Sequence, residues 1–282
     1  MLPEDVYYVS TDEGTPATRS NAWDIGFGLQ AVDGLTPSDY AIEQSKEQIS
    51  GKVSYAEVEH RLREYHSADS EEAEHFEADI VSTRISSLLQ TESFVFAPPM
   101  LRQIHRHLFD GKNDWVGQWR QVNLTKKEPV LQGDSVSYAP FHLIGEMLDY
   151  DFGQEKGRQA KYPQIGRHEI ASSAFGFISG VWQIHPFREG NTRTTAVFAI
   201  LYLRQLGFII GNEPFASNAQ YFRDALVLDN TFDPDFKDPA PLRRFMEKAL
   251  FNSPIELENL RDSYFAVQST QSDPLPEPDP SV

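Results

Sequence analysis

Residues 168–207 read HEIASSAFGFISGVWQIHPFREGNTRTTAVFAILYLRQLG. In the first half, Ile170, Ala174, Phe177, Ile178 and Val181 recur at the three-and-four spacing of one helix face. That spacing predicts a helix from about His168 to Trp182. A second periodic run starts near Asn191, carries Val197, Ile200, Leu201 and Leu203, and is ended by Gly207. The two helices are joined by His185-Pro186-Phe187-Arg188-Glu189-Gly190, a loop feeding a helix N-terminus.

The residue types in that loop suit an anion. Gly190 allows close backbone approach and Asn191 can cap, so unpaired N–H groups and the positive end of the helix dipole face outward. Arg193, one turn inside, reaches the same anion with a bidentate fork. Glu189 supplies the hard oxygen that Mg2+ takes beside phosphates. His185 is the nearby group that titrates near neutrality, which makes it the candidate general base for a hydroxyl nucleophile.

Outward from this pair, the pattern stays mainly α. Thr36-Pro37-Ser38-Asp39 opens one short helix, and Ser54-Tyr55-Ala56-Glu57 opens another in the form of a capping box. An acidic run from Ala68 to Glu77, read as a solvated helix start, leads into a helix with an apolar stripe that carries Ile80, Ile85, Leu88 and Leu89. Others cover Leu101 to Phe109, Phe141 to Tyr150, Tyr221 to Leu228 and Ala240 to Leu250. Residues 1 to about 35 read as polar and irregular, and Gly153 to Gly166 as a polar loop. Gln121 to Thr125 and Ser135 to Tyr138 alternate like short strands around Pro129 and Gly133, predicting a β-hairpin. The proline- and acid-rich stretch from Gln271 to Pro280 is expected to be disordered. His105 and His107 sit two apart on a helix and face different ways, which argues against a shared metal site. Trp115 and Trp119 read as core residues.

Composition bounds the function classes. The chain has 282 residues, 40% hydrophobic and 24% charged, enough for one main core with a smaller appendage. A formal net charge of -17 repels nucleic acid and anionic membrane surfaces. With no cysteine, disulfides, thiolate nucleophiles and Cys-ligated metals are excluded. No apolar run approaches the roughly 18 residues of a spanning helix. The acidic start Met1-Leu2-Pro3-Glu4-Asp5 lacks the pattern of a secretory signal, so the expected location is cytoplasmic.

The ordered set His185, Phe187, Glu189, Gly190, Asn191 and Arg193 resembles the Fic family signature H-x-F-x-[D/E]-G-N-x-R. The resemblance extends to Phe109-Asp110-Gly111, Gly117-Gln118-Trp119-Arg120, Lys126-Lys127-Glu128, Tyr150-Asp151-Phe152, Trp182-Gln183-Ile184 and Tyr221 to Leu226, covering roughly residues 80 to 250. It implies a mainly α fold: a Fic-type helical core at 79–265 with a small β-hairpin flap, an N-terminal helical extension at 1–78 and a tail at 266–282. It also implies a protein adenylyltransferase that moves AMP from ATP to a Ser, Thr or Tyr hydroxyl, self-modification included. On that resemblance His185 is the base, Glu189 holds Mg2+, and Gly190, Asn191 and Thr192 form the anion hole. Arg193 steadies the phosphates, Phe187 anchors the loop, Tyr221 lines the adenine pocket, and the flap at about 121–138 holds a target protein by strand addition. Homo-oligomerisation is compatible with this reading.

Two departures stand out. The family pattern often adds a second arginine, and Ala196 occupies that position. Fic proteins are also commonly silenced by a helix carrying [S/T]-x-x-x-E-[G/N]. Here the helix before the core offers Ser82 and Thr83 as its start and Ser86 and Ser87 where the glutamate would stand. The loop chemistry equally admits transfer of UMP or a phosphoryl group, or removal of AMP. A non-enzymatic module that binds nucleotide or a partner is the reading that Ala196 favours.

Overall fold

The computed structural model describes residues 14–68, 75–91 and 93–264. Its helices are α1 (Pro16–Gly28), α2 (Asp39–Ile49), α3 (Tyr55–Ala68), α4 (Phe76–Leu88), α5 (Pro98–Phe109), α6 (Ile144–Gln159), α7 (Arg167–Ile184), α8 (Asn191–Gln205), α9 (Asn212–Ser217), α10 (Ala219–Asn230) and α11 (Ala240–Phe251). The predicted helix pair is α7 and α8. Every residue from Asn191 to Leu203 is buried, and a helix buried all round can only be the axis of a core. Helices α5 and α7 pack on it, α6, α10 and α11 pack on α7, and α1 lies against α4 and α9. Phe96, Phe152, Phe177, Phe198 and Tyr202 interlock between these helices, with Phe96 4.8 Å from Phe152 and 4.7 Å from Tyr202. A second, smaller core gathers Trp23, Ala41, Tyr55, Val58, Leu62 and Ile80 where α2 and α3 meet α1 and α4.

The structure corrects three expectations. The described part of the stretch read as irregular, residues 14 to 35, is mostly helical. Thr15 caps α1 by accepting the Thr18 N–H at 3.2 Å, and Pro16 sits at its first turn. Ala22, Ile25 and Leu29 of this stretch enter the main core while Trp23 enters the smaller one. A helix buried on two sides shows no single apolar stripe, which hid it. Of the loop expected from Gly153 to Gly166, the part up to Gln159 is instead the second half of α6, and the connection to α7 is confined to the residues after it. That half of α6 is held by buried Glu155, which accepts hydroxyl hydrogen bonds from Tyr162 and Tyr202. A charged residue tied down by two distant tyrosines reads as loop when only neighbours in sequence are considered.

The third correction concerns the flap. Among the described residues no strand forms, so the β-hairpin is absent as a ladder although the two arms and their turn are present. Side chains take the groups a ladder would pair. Ser135 Oγ accepts the Lys126 N–H, Asn123 Oδ1 accepts the Phe141 N–H, and Arg120 donates to the Val122 and Ala139 carbonyls. The acid run up to residue 74 and the tail at 266–282 lie outside the described residues.

Candidate functional site

The loop between α7 and α8 is fixed at both ends by backbone conformations that ordinary residues avoid. His185 ends α7 at φ 53°, and Gly190 starts α8 at φ 68°. Gly190 is required twice over, because a Cβ there would lie 2.4 Å from the Phe109 ring. Between them Asn191 braces the turn: its Oδ1 accepts the Phe187 N–H at 2.9 Å and its Nδ2 donates to the Phe187 carbonyl at 2.8 Å. The Phe187 ring is buried and stacks on His105 at 3.9 Å. His105 Nδ1 accepts the Gly117 N–H, so its proton sits on Nε2 and is donated to the Glu189 carbonyl at 3.2 Å. Burial holds His105 far down, at about 3, so it stays in this neutral form. Trp182 Nε1 donates to Thr192 Oγ1 at 3.0 Å, and the Asn191, Thr192 and Arg193 amides, the first-turn donors of α8, have no acceptor among the described residues.

His185 itself is almost wholly buried. Its Nδ1 lies 3.2 Å from the Trp182 carbonyl, and only a protonated Nδ1 makes that contact a hydrogen bond. The Nε2 lone pair is then the acceptor, and it has no partner among the described residues. Burial, followed by the charges of Lys126, Arg120 and Arg223, holds the imidazole well below the usual histidine range. The ring is therefore neutral and proton-accepting at physiological pH. Its backbone is equally constrained: Arg120, buried, donates through Nε to the His185 carbonyl at 2.8 Å and through Nη1 to Val122 at 2.7 Å.

Arg193 points toward the N-terminal helices, where two carboxylates and an amide oxygen surround it, the Nε pairing with Asp33 by charge and making no hydrogen bond among the described residues. Its Nη2 lies 2.7 Å from Glu77 Oε1, its Nε 2.8 Å from Asp33 Oδ2 and its Nη1 2.9 Å from Gln30 Oε1, while the Phe109 ring stacks 4.8 Å away. Lys112 completes the group, 2.6 Å from Glu77 and 2.9 Å from Glu189. Burial pushes the Glu77 carboxyl up, but the Lys112 hydrogen bond and the Arg193 charge outweigh it and hold the group below its ordinary value. Thus the cation suited to phosphate and the carboxylate suited to a metal are both engaged by internal partners. No cluster of three or more metal-ligating side chains occurs among the described residues. The exposed Glu189 alone fits Mg2+ only where phosphate oxygens and water complete the shell, which is how that ion is usually held.

Comparison with known proteins agrees with this geometry. Residues 96–203, which include the whole loop, match the Fic/DOC family model. Residues 96–203 of this chain are a Fic-type domain. The chain is 27% identical over 159 residues to the probable protein adenylyltransferase y4lH of Sinorhizobium fredii, covering 56% of this chain and 77% of that protein. It is also 27% identical over 110 residues to the protein adenylyltransferase VbhT of Bartonella schoenbuchensis, covering 39% of this chain and 21% of VbhT. The fold is similar to the crystal structure of the N-terminal FIC domain of the Bep8 protein from Bartonella sp. 1-1C. That likeness has a TM-score of 0.50 at 18% identity and covers 66% of this chain and 87% of that one.

Within this Fic domain, His185, Glu189, Gly190, Asn191, Thr192 and Arg193 share one loop and helix start. The other sequence candidates sit apart from it. Tyr221 packs between α10 and α11, its hydroxyl donating to the Pro241 carbonyl at 3.2 Å. Ser82 and Ser86 donate to the α1 carbonyls of Gly26 and Ala22, Thr83 donates to Asp79 within its own helix, and Ser87 borders a cavity with Tyr55 and His107. Helix α4 does meet the loop, but through Glu77 in its first turn. Sequence reasoning missed Glu77, Asp33, Gln30 and Lys112. The one available signal was the acidic start of α4, read as a solvated helix end. Lys126, a partly buried ammonium with no hydrogen bond or ion pair among the described residues, was quoted only as part of the family likeness.

Proposed function

We propose that this Fic domain protein is a protein adenylyltransferase that moves AMP from ATP to a Ser, Thr or Tyr hydroxyl of a target protein, itself included. The observation that carries the reading is the tautomer of His185. With Nδ1–H on the Trp182 carbonyl, the buried Nε2 lone pair has no hydrogen-bond partner among the described residues, beside a helix N-terminus suited to phosphate. The target hydroxyl gives its proton to Nε2 and its oxygen bonds the α-phosphorus, while the bond from that phosphorus to the bridging oxygen breaks and pyrophosphate leaves. The amides of Gly190, Asn191 and Thr192 and the Arg193 guanidinium take the charge that develops. Glu189 would hold Mg2+, which when bound neutralises phosphate charge. The names of y4lH and VbhT support the nucleotide assignment.

Two further elements belong to the same reading. The target segment lies along the flap, whose arms border a groove of about 400 Å3 and expose Val122 and, just beyond, Phe141. Among the described residues the two arms form no ladder with each other, which suits strand addition by a target segment. The N-terminal helices act as a brake, and Glu77 with Asp33 supplies the carboxylates that the serines of α4 lack.

Incubation of the full chain with Mg2+ and ATP, UTP or ATP labelled at the γ-phosphate, read by intact mass, tests the assignment. One AMP added by the wild type and none by His185→Ala is the expected result. Transfer of UMP or of the γ-phosphoryl group instead of AMP overturns the choice of donor, and equal labelling by the histidine variant overturns the base.

A further inference from the structure

A buried carboxylate lies behind the base, and the loop chemistry makes no use of it. Glu128, at the start of the flap turn, is wholly buried. Its Oε1 accepts the Tyr138 hydroxyl at 2.8 Å and its Oε2 accepts Arg223 Nη2 at 2.8 Å. Arg223, from α10, also donates to the Val32 carbonyl at 2.9 Å. The backbone of Glu128 closes the turn, donating to Asp134 and accepting from Leu131 and Gly133. The Tyr138 ring then reaches the base: its centroid lies 4.1 Å from that of His185, tilted by 33°, while its edge meets Trp182 at 6.0 Å.

This arrangement has a chemical consequence if His185 accepts a proton. The imidazolium forms in a buried site, near Lys126, Arg120 and Arg223, all of which oppose it. No carboxylate pairs with its ring among the described residues. The face of Tyr138 is the group placed to favour the new cation, within the distance at which a ring quadrupole attracts positive charge. A phenol that donates to a carboxylate has a more electron-rich ring than a free one. Burial and Glu128 push the Tyr138 hydroxyl far above its ordinary range, so the donation persists. Glu128 also balances Arg223, which would otherwise face the base as an uncompensated cation.

We propose that Glu128 is a positioning residue for the transfer reaction, acting through Tyr138 to orient and enrich the aromatic face against which His185 becomes charged, and neutralising Arg223 beside it. The inference rests on His185 being the base, so His185→Ala is measured alongside. The effect belongs to the chemical step, which separates it from a role in holding the flap or the nucleotide.

The experiment compares kcat for AMP transfer, affinity for a non-hydrolysable ATP analogue with Mg2+, and thermal unfolding across a set of full-chain variants. Tyr138→Leu is expected to lower kcat roughly 5- to 30-fold with nucleotide affinity unchanged. Tyr138→Phe keeps the ring but cuts its hydroxyl link to Glu128, so its rate should fall between those of wild type and Tyr138→Leu. Glu128→Gln leaves Arg223 unbalanced and should lower kcat about tenfold. Because that variant risks misfolding, Glu128→Gln/Arg223→Gln is included, which removes both charges and should recover part of the loss. A merely structural network predicts the opposite, a double variant worse than either single one. Equal losses in Tyr138→Phe and Tyr138→Leu, or no recovery in a folded double variant, overturn the proposal. Full transfer by His185→Ala would overturn the base assignment, and the relay with it. Loss in His185→Ala with normal kcat in every Glu128 and Tyr138 variant overturns the relay alone.

Discussion

Removing Glu77 tests whether the N-terminal helices restrain the proposed nucleotide site. Glu77→Ala deletes the carboxylate that accepts from Arg193 at 2.7 Å and from Lys112 at 2.6 Å. A hydrogen bond to a charged group contributes about 1.5–3 kcal/mol, and the side chain of Glu77 is 27% exposed, so the lower end applies. Any phosphate that uses Arg193 must displace this contact, and about 1.5 kcal/mol corresponds to roughly tenfold in affinity. Asp33 still holds Nε at 2.8 Å, which keeps the guanidinium in position and limits the gain to that one contact. Calorimetric titration with a non-hydrolysable ATP analogue and Mg2+ should therefore show Glu77→Ala binding about tenfold more tightly than wild type. Glu77→Gln, which keeps an acceptor without the charge, should fall between them. Self-modification should rise in the same order. A folded Glu77→Ala that binds the analogue no better than wild type refutes the reasoning, because Arg193 would then not be the group phosphate reaches.

Gly190→Ala should destabilise the fold by about 2–3 kcal/mol and abolish nucleotide binding. It combines a positive φ with a contact 2.4 Å from the ring that stacks on Arg193, and thermal denaturation with the same titration reads both effects. His105 binds its proton at about 3 in the fold and near 6.5 when unfolded. The unfolded chain thus takes up more protons in acid, and the stability this group contributes is complete above about 6.5 and lost as the pH falls toward 3. Urea unfolding should show about 2 kcal/mol of that loss by pH 5, and His105→Gln should flatten the dependence. Ser86→Glu should unfold the protein rather than silence it, because Ser86 is fully buried and donates to Ala22; a stable, well-folded Ser86→Glu with lowered self-modification would contradict this.

The helices that were legible in the sequence are those with one apolar face or strong end signals. Helix α5 shows its apolar positions at Leu101, Ile104 and Leu108, and α3 announces itself through Ser54, whose Oγ accepts the Glu57 N–H at 3.2 Å. Helix α1 was illegible because its residues divide between two cores, so that apolar and polar positions follow no single stripe. The flap misled in the other direction. Alternation in Gln121–Thr125 and Ser135–Tyr138 reports which side chains face inward, and Val136 and Tyr138 do so. It does not report whether backbone groups pair with each other or with Ser135, Asn123 and Arg120.

The site divides along the same physical line. What sits close together in sequence, from His185 to Arg193, was readable because a helix N-terminus, a glycine and a short polar run already suit an anion. What acts on those residues from a distance was not. Asp33, Glu77 and Lys112 lie 160, 116 and 81 positions before Arg193 in the chain, and each looks like an ordinary surface charge until α1, α4 and α5 are packed. The serines of α4 show the cost of reading such a coupling from one helix alone. A family pattern directs attention to residues 86 and 87, yet those side chains lie on or near the buried face against α1 and α3, where a carboxylate would meet no cation of the loop. The first turn of the same helix overhangs α8, and there an acidic residue does reach Arg193. With Ala196 buried where a second arginine would stand, Arg193 is the guanidinium in this loop that a carboxylate and a phosphate would both seek, and Glu77 holds it from the one end of α4 that comes close enough.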